Sequence, residues 1–181
     1  MELYDLEPAF ANTERLIRGI RADQWTAATP CAEWDLRGLV NHTTWVVSMF
    51  GAVTQGHAPP APDVDQLGDD AGEAFAAVAA RTIDAWRARG FEGTIKIRAG
   101  EMPAAAAFGI NVFDTFVHGW DVAQSTGQDA QLDDRLCVSL LEFMPSVGSA
   151  VRRGDNFGPA FDVPADAPAA DRLLGFLGRK P

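Results

Sequence analysis

The feature that most constrains the fold is a long, mostly apolar segment with helical character, which runs from Ala104 to Thr126. Within this segment, Asp114 and His118 stand four residues apart. Residues at that spacing project from the same face of a helix, about one turn from each other. The segment therefore predicts a long helix that carries a carboxylate and an imidazole side by side, a pair suited to binding a metal ion.

A second histidine lies on another predicted helix. Apolar residues recur every three or four positions from Leu36 to about Val53, and His42 falls on this inward-facing stripe. If the two helices pack together, His42, Asp114 and His118 form a set of two imidazoles and one carboxylate. Such a set leaves coordination positions open for water or substrate. The third histidine, His57, lies in a loop rich in proline and alanine and is expected to be solvated.

Apolar residues recur at helical spacing in most of the remaining chain, and this periodicity predicts an all-α protein. Further helices are expected at Leu3 to about Arg21, Asp70 to Arg89, Asp133 to about Val147 and Asp171 to Arg179, with one short extended segment at Gly93 to Arg98. Asp35 is placed to cap the second helix, and Gly127 to end the helix that carries His118. A length of 181 residues, of which 47% are hydrophobic, predicts a single domain over residues 1–181.

Composition excludes several classes of partner. A formal net charge of −10 argues against nucleic acid and against an anionic membrane surface, because either would require a basic face. No run approaches the roughly 18 apolar residues that a membrane span needs. Two cysteines, Cys31 and Cys137, cannot build a disulfide framework, and no signal peptide is recognised. We therefore expect a soluble, cytoplasmic protein.

Asp121 lies three residues after His118 and shares its helical face. We expect it to accept the free N–H of a ligand imidazole and so to fix that ring's tautomer, as partners of ligand histidines usually do. Three alternatives stay open for this carboxylate: a fourth metal ligand, a general base, or a salt bridge within the bundle.

Other residues are weaker candidates. Tryptophans at such positions are more often core residues than pocket residues, and this holds for Trp34, Trp45 and Trp120. Among them, Trp45 lies about one turn beyond His42 and is the best candidate for a ligand pocket. Arg152 and Arg153 could bind an anionic thiol or a carboxylate at the mouth of the site, although an exposed arginine pair at a helix end is ordinary. Cys31 is expected to be a small buried hydrophobe rather than a reactive thiol.

Several of these motifs together resemble one known family. They are Thr29-Pro30-Cys31 with Trp34, Asp35-Leu36, Leu39-Val40-Asn41-His42, the segment from Asp114 to Asp121 with Val122-Ala123, Thr126-Gly127, and Leu173-Leu174-Gly175-Phe176-Leu177-Gly178-Arg179. The pattern is similar to that of actinobacterial metal-binding proteins related to the N-terminal domain of mycothiol-dependent maleylpyruvate isomerase. These proteins belong to the wider DinB/YfiT-like superfamily. The resemblance spans nearly the whole chain.

The resemblance implies an up-down-down-up four-helix bundle, to which the tail residues described above add a short C-terminal helix. It also implies a divalent metal, zinc first with Ni²⁺ or Fe²⁺ as alternatives, held by His42, Asp114 and His118. The expected partners are a low-molecular-weight thiol such as mycothiol and a small electrophile, in transferase or isomerase chemistry. The chain departs from the isomerase in carrying Asp114 in place of a glutamate, and in lacking an extra C-terminal domain.

Two other functions stay open at this point. One is hydrolysis by metal-activated water, for which Asp121 is the base nearest in sequence. The other is a metal-binding or small-ligand-binding protein without turnover. A face of the bundle could also support a homodimer.

Overall fold

The computed structural model describes residues 3–97, 100–151 and 159–180. These residues form six helices and one two-stranded sheet, which confirms the all-α class. The elements are α1 (Leu3–Arg18), α2 (Leu36–Thr54), α3 (Ala71–Arg89), β1 (Thr94–Ile97), β2 (Gly100–Pro103), α4 (Ala104–Thr126), α5 (Asp134–Val151) and α6 (Ala169–Phe176). They divide into two compact units, residues 2–130 and residues 131–181. No helix among the described residues combines the length and the apolar character that crossing a bilayer requires.

The N-terminal unit is a four-helix bundle. Helices α1 and α2 each pack against both α3 and α4. Large apolar side chains with an exposure below 2% fill the space between them, as the helical periodicity predicts. They include Leu6, Leu16, Leu36, Leu39, Phe75, Trp86 and Phe108. In the C-terminal unit, α5 packs against α6.

The predicted helix ends next to the candidate site are confirmed. Asp35 caps α2, and its side chain accepts the amide of Gly38 at 2.9 Å. Gly127 ends α4 in the left-handed conformation, with φ +72°, and its amide donates to the carbonyl of Ala123. These two local signals fix where the helices that carry the histidines begin and end.

The extended segment is a hairpin rather than a single strand. β1 and β2 pair antiparallel, with Thr94 opposite Pro103 and Ile97 opposite Gly100. Residues 100–103 show no alternation of apolar and polar residues, so the sequence does not indicate a strand there. β2 forms because β1 supplies its hydrogen-bond partners, and it leads directly into α4.

Other helix ends differ from the prediction. α1 ends at Arg18 rather than near Arg21, because the amide of Gly19 is shared between two carbonyls of the last turn, a tight 3₁₀-type ending. α5 continues to Val151, beyond the expected Val147. α6 runs from Ala169 to Phe176 rather than from Asp171 to Arg179, since Gly178 adopts φ +70° and turns the chain out of the helix.

Two glycines allow close helix contacts. A Cβ at Gly119 would lie 2.6 Å from Thr13 Oγ1, so α1 and α4 approach each other directly after His118. The Thr13 hydroxyl donates to the carbonyl of Thr115 at 3.1 Å and ties the same two helices together. Gly51 on α2 makes a similar contact with Thr82 on α3. These contacts limit how far the helices can slide past one another.

Candidate metal centre

Helix α4 brings three polar side chains to one inward face. His118 is buried, with 7% of its surface exposed, and Asp121 is fully buried. The distance from His118 Nε2 to Asp114 Oδ1 is 3.7 Å, and that from His118 Nδ1 to Asp121 Oδ2 is 3.0 Å. The spacing of three and four residues along one helix accounts for this arrangement. Each nitrogen of the imidazole therefore faces a different carboxylate.

Helix α2 adds the second histidine. The rings of His42 and His118 are 5.3 Å apart and nearly perpendicular, at 87°. One ligand atom from each of His42, Asp114 and His118 lies within 4.8 Å of the other two. The structure therefore brings together the three residues that the sequence singles out as metal ligands.

One oxygen of Asp114 is unsatisfied. Oδ2 is buried and has no hydrogen-bond partner among the described residues. A buried carboxylate oxygen without a donor carries a substantial desolvation cost unless a cation compensates it. Two imidazoles and one carboxylate suit Zn²⁺ and other divalent transition metals. The donor set and the orphaned oxygen thus both fit a divalent cation.

The charges at the site are consistent with this fit. Burial opposes protonation of His118, but Asp114 and Asp121 outweigh it, and the pKa of this imidazole is raised to about 10. In contrast, burial lowers the pKa of His42, and the nearby His118 lowers it further against the attraction of Asp114. The metal-free cluster therefore retains a proton on His118, and a divalent ion would compete for the same nitrogen.

Asp121 has two donors that the structure describes. His118 Nδ1 lies 3.0 Å from its Oδ2, and the Cys31 thiol donates to the same oxygen at 3.3 Å. Cys31 Sγ also lies 3.9 Å from His118 Nδ1, so Cys31, His118 and Asp121 form a second group of possible ligand atoms. Cys31 is partly exposed, and the expectation of a buried hydrophobe is wrong in this respect.

Two tryptophans flank His42. Trp34 stacks on its ring, with a centroid distance of 4.2 Å and an interplanar angle of 23°. Trp45, the tryptophan that the sequence favours as a pocket residue, is further away at 6.2 Å and donates its indole N–H to the carbonyl of Pro60. Sequence reasoning missed the roles of Trp34 and Cys31. Their signals in the sequence are their place in the loop that leads into the Asp35 cap and their part in the motifs that carry the family resemblance.

The remaining candidates lie elsewhere. Arg152 and Arg153 fall outside the described residues. His57 is exposed, as expected. An open groove of about 700 Å³ lies where the end of α2 meets β1, and its lining includes His57, Arg89 and Lys96 but none of the residues of the histidine cluster.

Comparisons with known proteins agree with this architecture. A family model described as the mycothiol maleylpyruvate isomerase N-terminal domain matches residues 6–123. Uncharacterized proteins from two strains of Mycobacterium tuberculosis are 33% identical over 166 residues, which cover 91% of this chain and 90% of theirs.

Two solved structures share the fold. A mutant of the mycothiol-dependent maleylpyruvate isomerase aligns with a TM-score of 0.60 at 11% identity, over 76% of this chain. A second crystal structure of that isomerase gives a TM-score of 0.52 at 12% identity. The alignment spans 65% of the length of the isomerase chain, and at this identity it shows a shared helical fold alone. Together with the family model and the mycobacterial relatives, it leads to one assignment: this chain belongs to the family of the mycothiol maleylpyruvate isomerase N-terminal domain.

Proposed function

We propose that this chain is a metal-dependent enzyme that uses a low-molecular-weight thiol, with mycothiol as the first candidate, in transferase or isomerase chemistry on a small electrophile. One observation carries the proposal. His42, Asp114 and His118 place their ligand atoms within 4.8 Å of one another, and one buried oxygen of Asp114 has no hydrogen-bond partner among the described residues. The family membership supports the choice of thiol, because the family is named after an isomerase that is itself described as mycothiol-dependent.

In this proposal, His42, Asp114 and His118 hold the cation. Zn²⁺ is the first expectation, with Ni²⁺ or Fe²⁺ as alternatives. A bound divalent ion supplies positive charge that favours a thiolate over a thiol at neutral pH. Asp121 accepts the N–H of His118 Nδ1, which keeps the lone pair of Nε2 directed toward Asp114 and His42.

The surroundings of the cluster serve the same chemistry. Asp121 is fully buried, and the aromatic rings of Trp34 and Trp45 flank His42. A dry, partly aromatic environment strengthens the interaction of a thiolate with positive charge. Trp45, Arg152 and Arg153 stay candidates for contacts with the thiol or the electrophile.

The hydrolase alternative is less well supported. It requires a general base that can reach a water molecule, and Asp121 is the nearest candidate in sequence. That carboxylate is fully buried and already accepts from His118 and Cys31, so it is poorly placed to take a proton from water.

A non-catalytic metal site is also less well supported. A closed structural site would need a fourth protein ligand, and within the described residues the His42 group contains three. We place the reaction in the cytoplasm, as an expectation from the sequence, and the homodimer stays a prediction.

Metal content tests the proposal. Purified protein should carry about one divalent ion per chain, and His118→Ala should remove it because a core ligand is lost. His57→Ala is the matched control, since His57 is exposed in the loop between α2 and α3 and should leave the metal in place. The proposal fails if chelated wild-type protein, reconstituted with zinc, retains none through desalting.

A further inference from the structure

The loop from Thr29 to Asp35 contacts both histidine sites, and the proposed function does not explain why one loop does so. This loop joins α1 to α2, and its side chains reach both histidines. Trp34 stacks on His42, and the Cys31 thiol donates to the carboxylate of Asp121 that holds His118. One short loop therefore contacts His42 of α2 and Asp121, the hydrogen-bond partner of His118, on α4.

The two histidines are held in different ways. His118 is oriented by a hydrogen bond to Asp121 at 3.0 Å. For His42, the described residues supply no hydrogen bond to the ring, and the closest ring contact is the stack with Trp34 at 4.2 Å. Ligand histidines nearly always have a partner that fixes their orientation. For His42, the indole ring of Trp34 occupies that position.

The loop is rigid enough to act in this way. The hydroxyl of Thr29 is shared between the carbonyls of Cys31 and Trp34, at 2.9 and 2.8 Å, and the amide of Trp34 donates to Cys31. Residues 28 and 35 form an isolated antiparallel bridge. Asp35 then caps α2, the helix that carries His42 two turns later. The amide and the carbonyl of Trp34 are thus both held by hydrogen bonds within the loop, directly before the helix whose His42 ring the indole covers.

We infer that Trp34 is a positioning residue, which holds the imidazole of His42 in the orientation needed to bind the metal. The inference rests on the proposed metal-dependent function. Stacking at 23° restricts rotation of the His42 ring, so the ring loses less rotational freedom when the ion binds. Cys31 anchors the other end of the loop at Asp121 and keeps the indole ring in register with both histidines.

Zinc affinity, measured by competition with a chromogenic chelator, tests the inference. Trp34→Leu should weaken binding by about 10–100-fold, the usual effect of losing a partner of a ligand. Trp34→Phe keeps an aromatic face and should retain most of the affinity. Trp25→Leu is the matched control, because Trp25 lies in the same connection, is similarly half-buried, and has no ring contact with the histidines among the described residues. Equal losses in Trp34→Leu and Trp25→Leu, or no loss in either, would overturn the inference.

A metal-free measurement separates this inference from the proposed function. In the NMR spectrum of the chelated wild-type protein, the ring protons of His42 should be shifted upfield by the ring current of Trp34, and Trp34→Leu should abolish the shift. Absence of the shift in wild type would contradict the stack itself, whatever the metal content. If the shift is present and wild-type protein binds no zinc, the proposed function is wrong, and the positioning role falls with it.

Discussion

At the residue scale, two carboxylates beside His118 favour a positive charge in the cluster. Asp114 and Asp121 lie on opposite sides of His118, and one buried oxygen of Asp114 finds no donor in the part of the chain that the structure describes. In the metal-free protein, a proton on His118 supplies part of this charge. In the metal-bound protein, the cation would supply it instead. A proton and a metal ion would therefore stabilise the same arrangement and exclude each other at Nε2.

The metal-free protein should lose stability as the pH rises from about 7 to about 8.5. His118 has a folded pKa of about 10 against a usual value of 6.5, so its contribution is complete below 6.5 and is lost between the two values. The slope for one such proton is at most about 1.4 kcal/mol per pH unit. The lowered pKa of His42 acts below 6.5 and does not obscure this range.

Urea unfolding of the chelated protein at both pH values provides the measurement. His118→Gln serves as the control, because it removes the titrating group and should flatten the dependence. Metal-free wild-type protein that is equally stable at the two values would contradict the charge pattern described for His118.

At the element scale, the site depends on how α4 is seated against its neighbours. His42 comes from α2, whereas Asp114, His118 and Asp121 come from α4, so a small slide of α4 would separate the two histidines. The contact of Gly119 with Thr13 on α1 prevents that slide, although neither residue belongs to the cluster. Packing of α4 against α1 thus helps to set the position of His118 relative to His42.

Gly119→Ala should destabilise the protein by about 1–3 kcal/mol, the usual cost of inserting a methyl group into a tight contact. It should also weaken zinc binding, because α4 must move away from α1. Thr13→Ala removes the atom that a Cβ at Gly119 would meet at 2.6 Å, so the double variant should be more stable than additivity predicts. Urea unfolding and zinc titration of the four proteins test this. If the two losses of stability are additive, or if Gly119→Ala is as stable as wild type, the close contact is not present.

The sequence predicts features that depend on local spacing. Asp35 as a cap and the joint position of Asp114 and His118 on α4 follow from offsets of a few residues. The contact of Cys31 with Asp121 joins residues 90 positions apart, and no periodicity indicates it. β2 is another non-local feature, because its backbone becomes extended by pairing with β1. The contacts of Cys31 and Trp34 with the site could therefore not be predicted from the sequence, because tertiary packing brings their loop to the histidines.

At the scale of the whole molecule, every described residue of the cluster lies in the N-terminal unit. Cys31 is the first of them and Asp121 the last, and this span falls within the part matched by the family model, residues 6–123. The expectation of one domain over residues 1–181 stays a prediction. A metal held by α2 and α4 would crosslink two helices of the bundle and stabilise the fold by mass action.

Chelation should lower the melting temperature without unfolding the bundle, because the apolar core does not depend on the ion. The stabilisation by zinc should be about 2.7 kcal/mol at a hundredfold excess over the dissociation constant. Calorimetry with zinc and with chelator measures this stabilisation. The melting temperature of His118→Ala should change with neither addition. A chelated protein that is unfolded at room temperature would show that the core is weaker than its buried side chains indicate.

If the metal site accepts a thiol, the absorption spectrum of the Co²⁺-substituted protein should change when the thiol is added. Addition of mycothiol should produce an intense sulfur-to-metal charge-transfer band in the near ultraviolet, because three protein ligands leave a position open. Asp121→Asn should retain the band at a thiol concentration about 10–100-fold higher. A spectrum of Co²⁺-loaded wild-type protein that does not change at saturating mycothiol would show that the metal site does not bind this thiol.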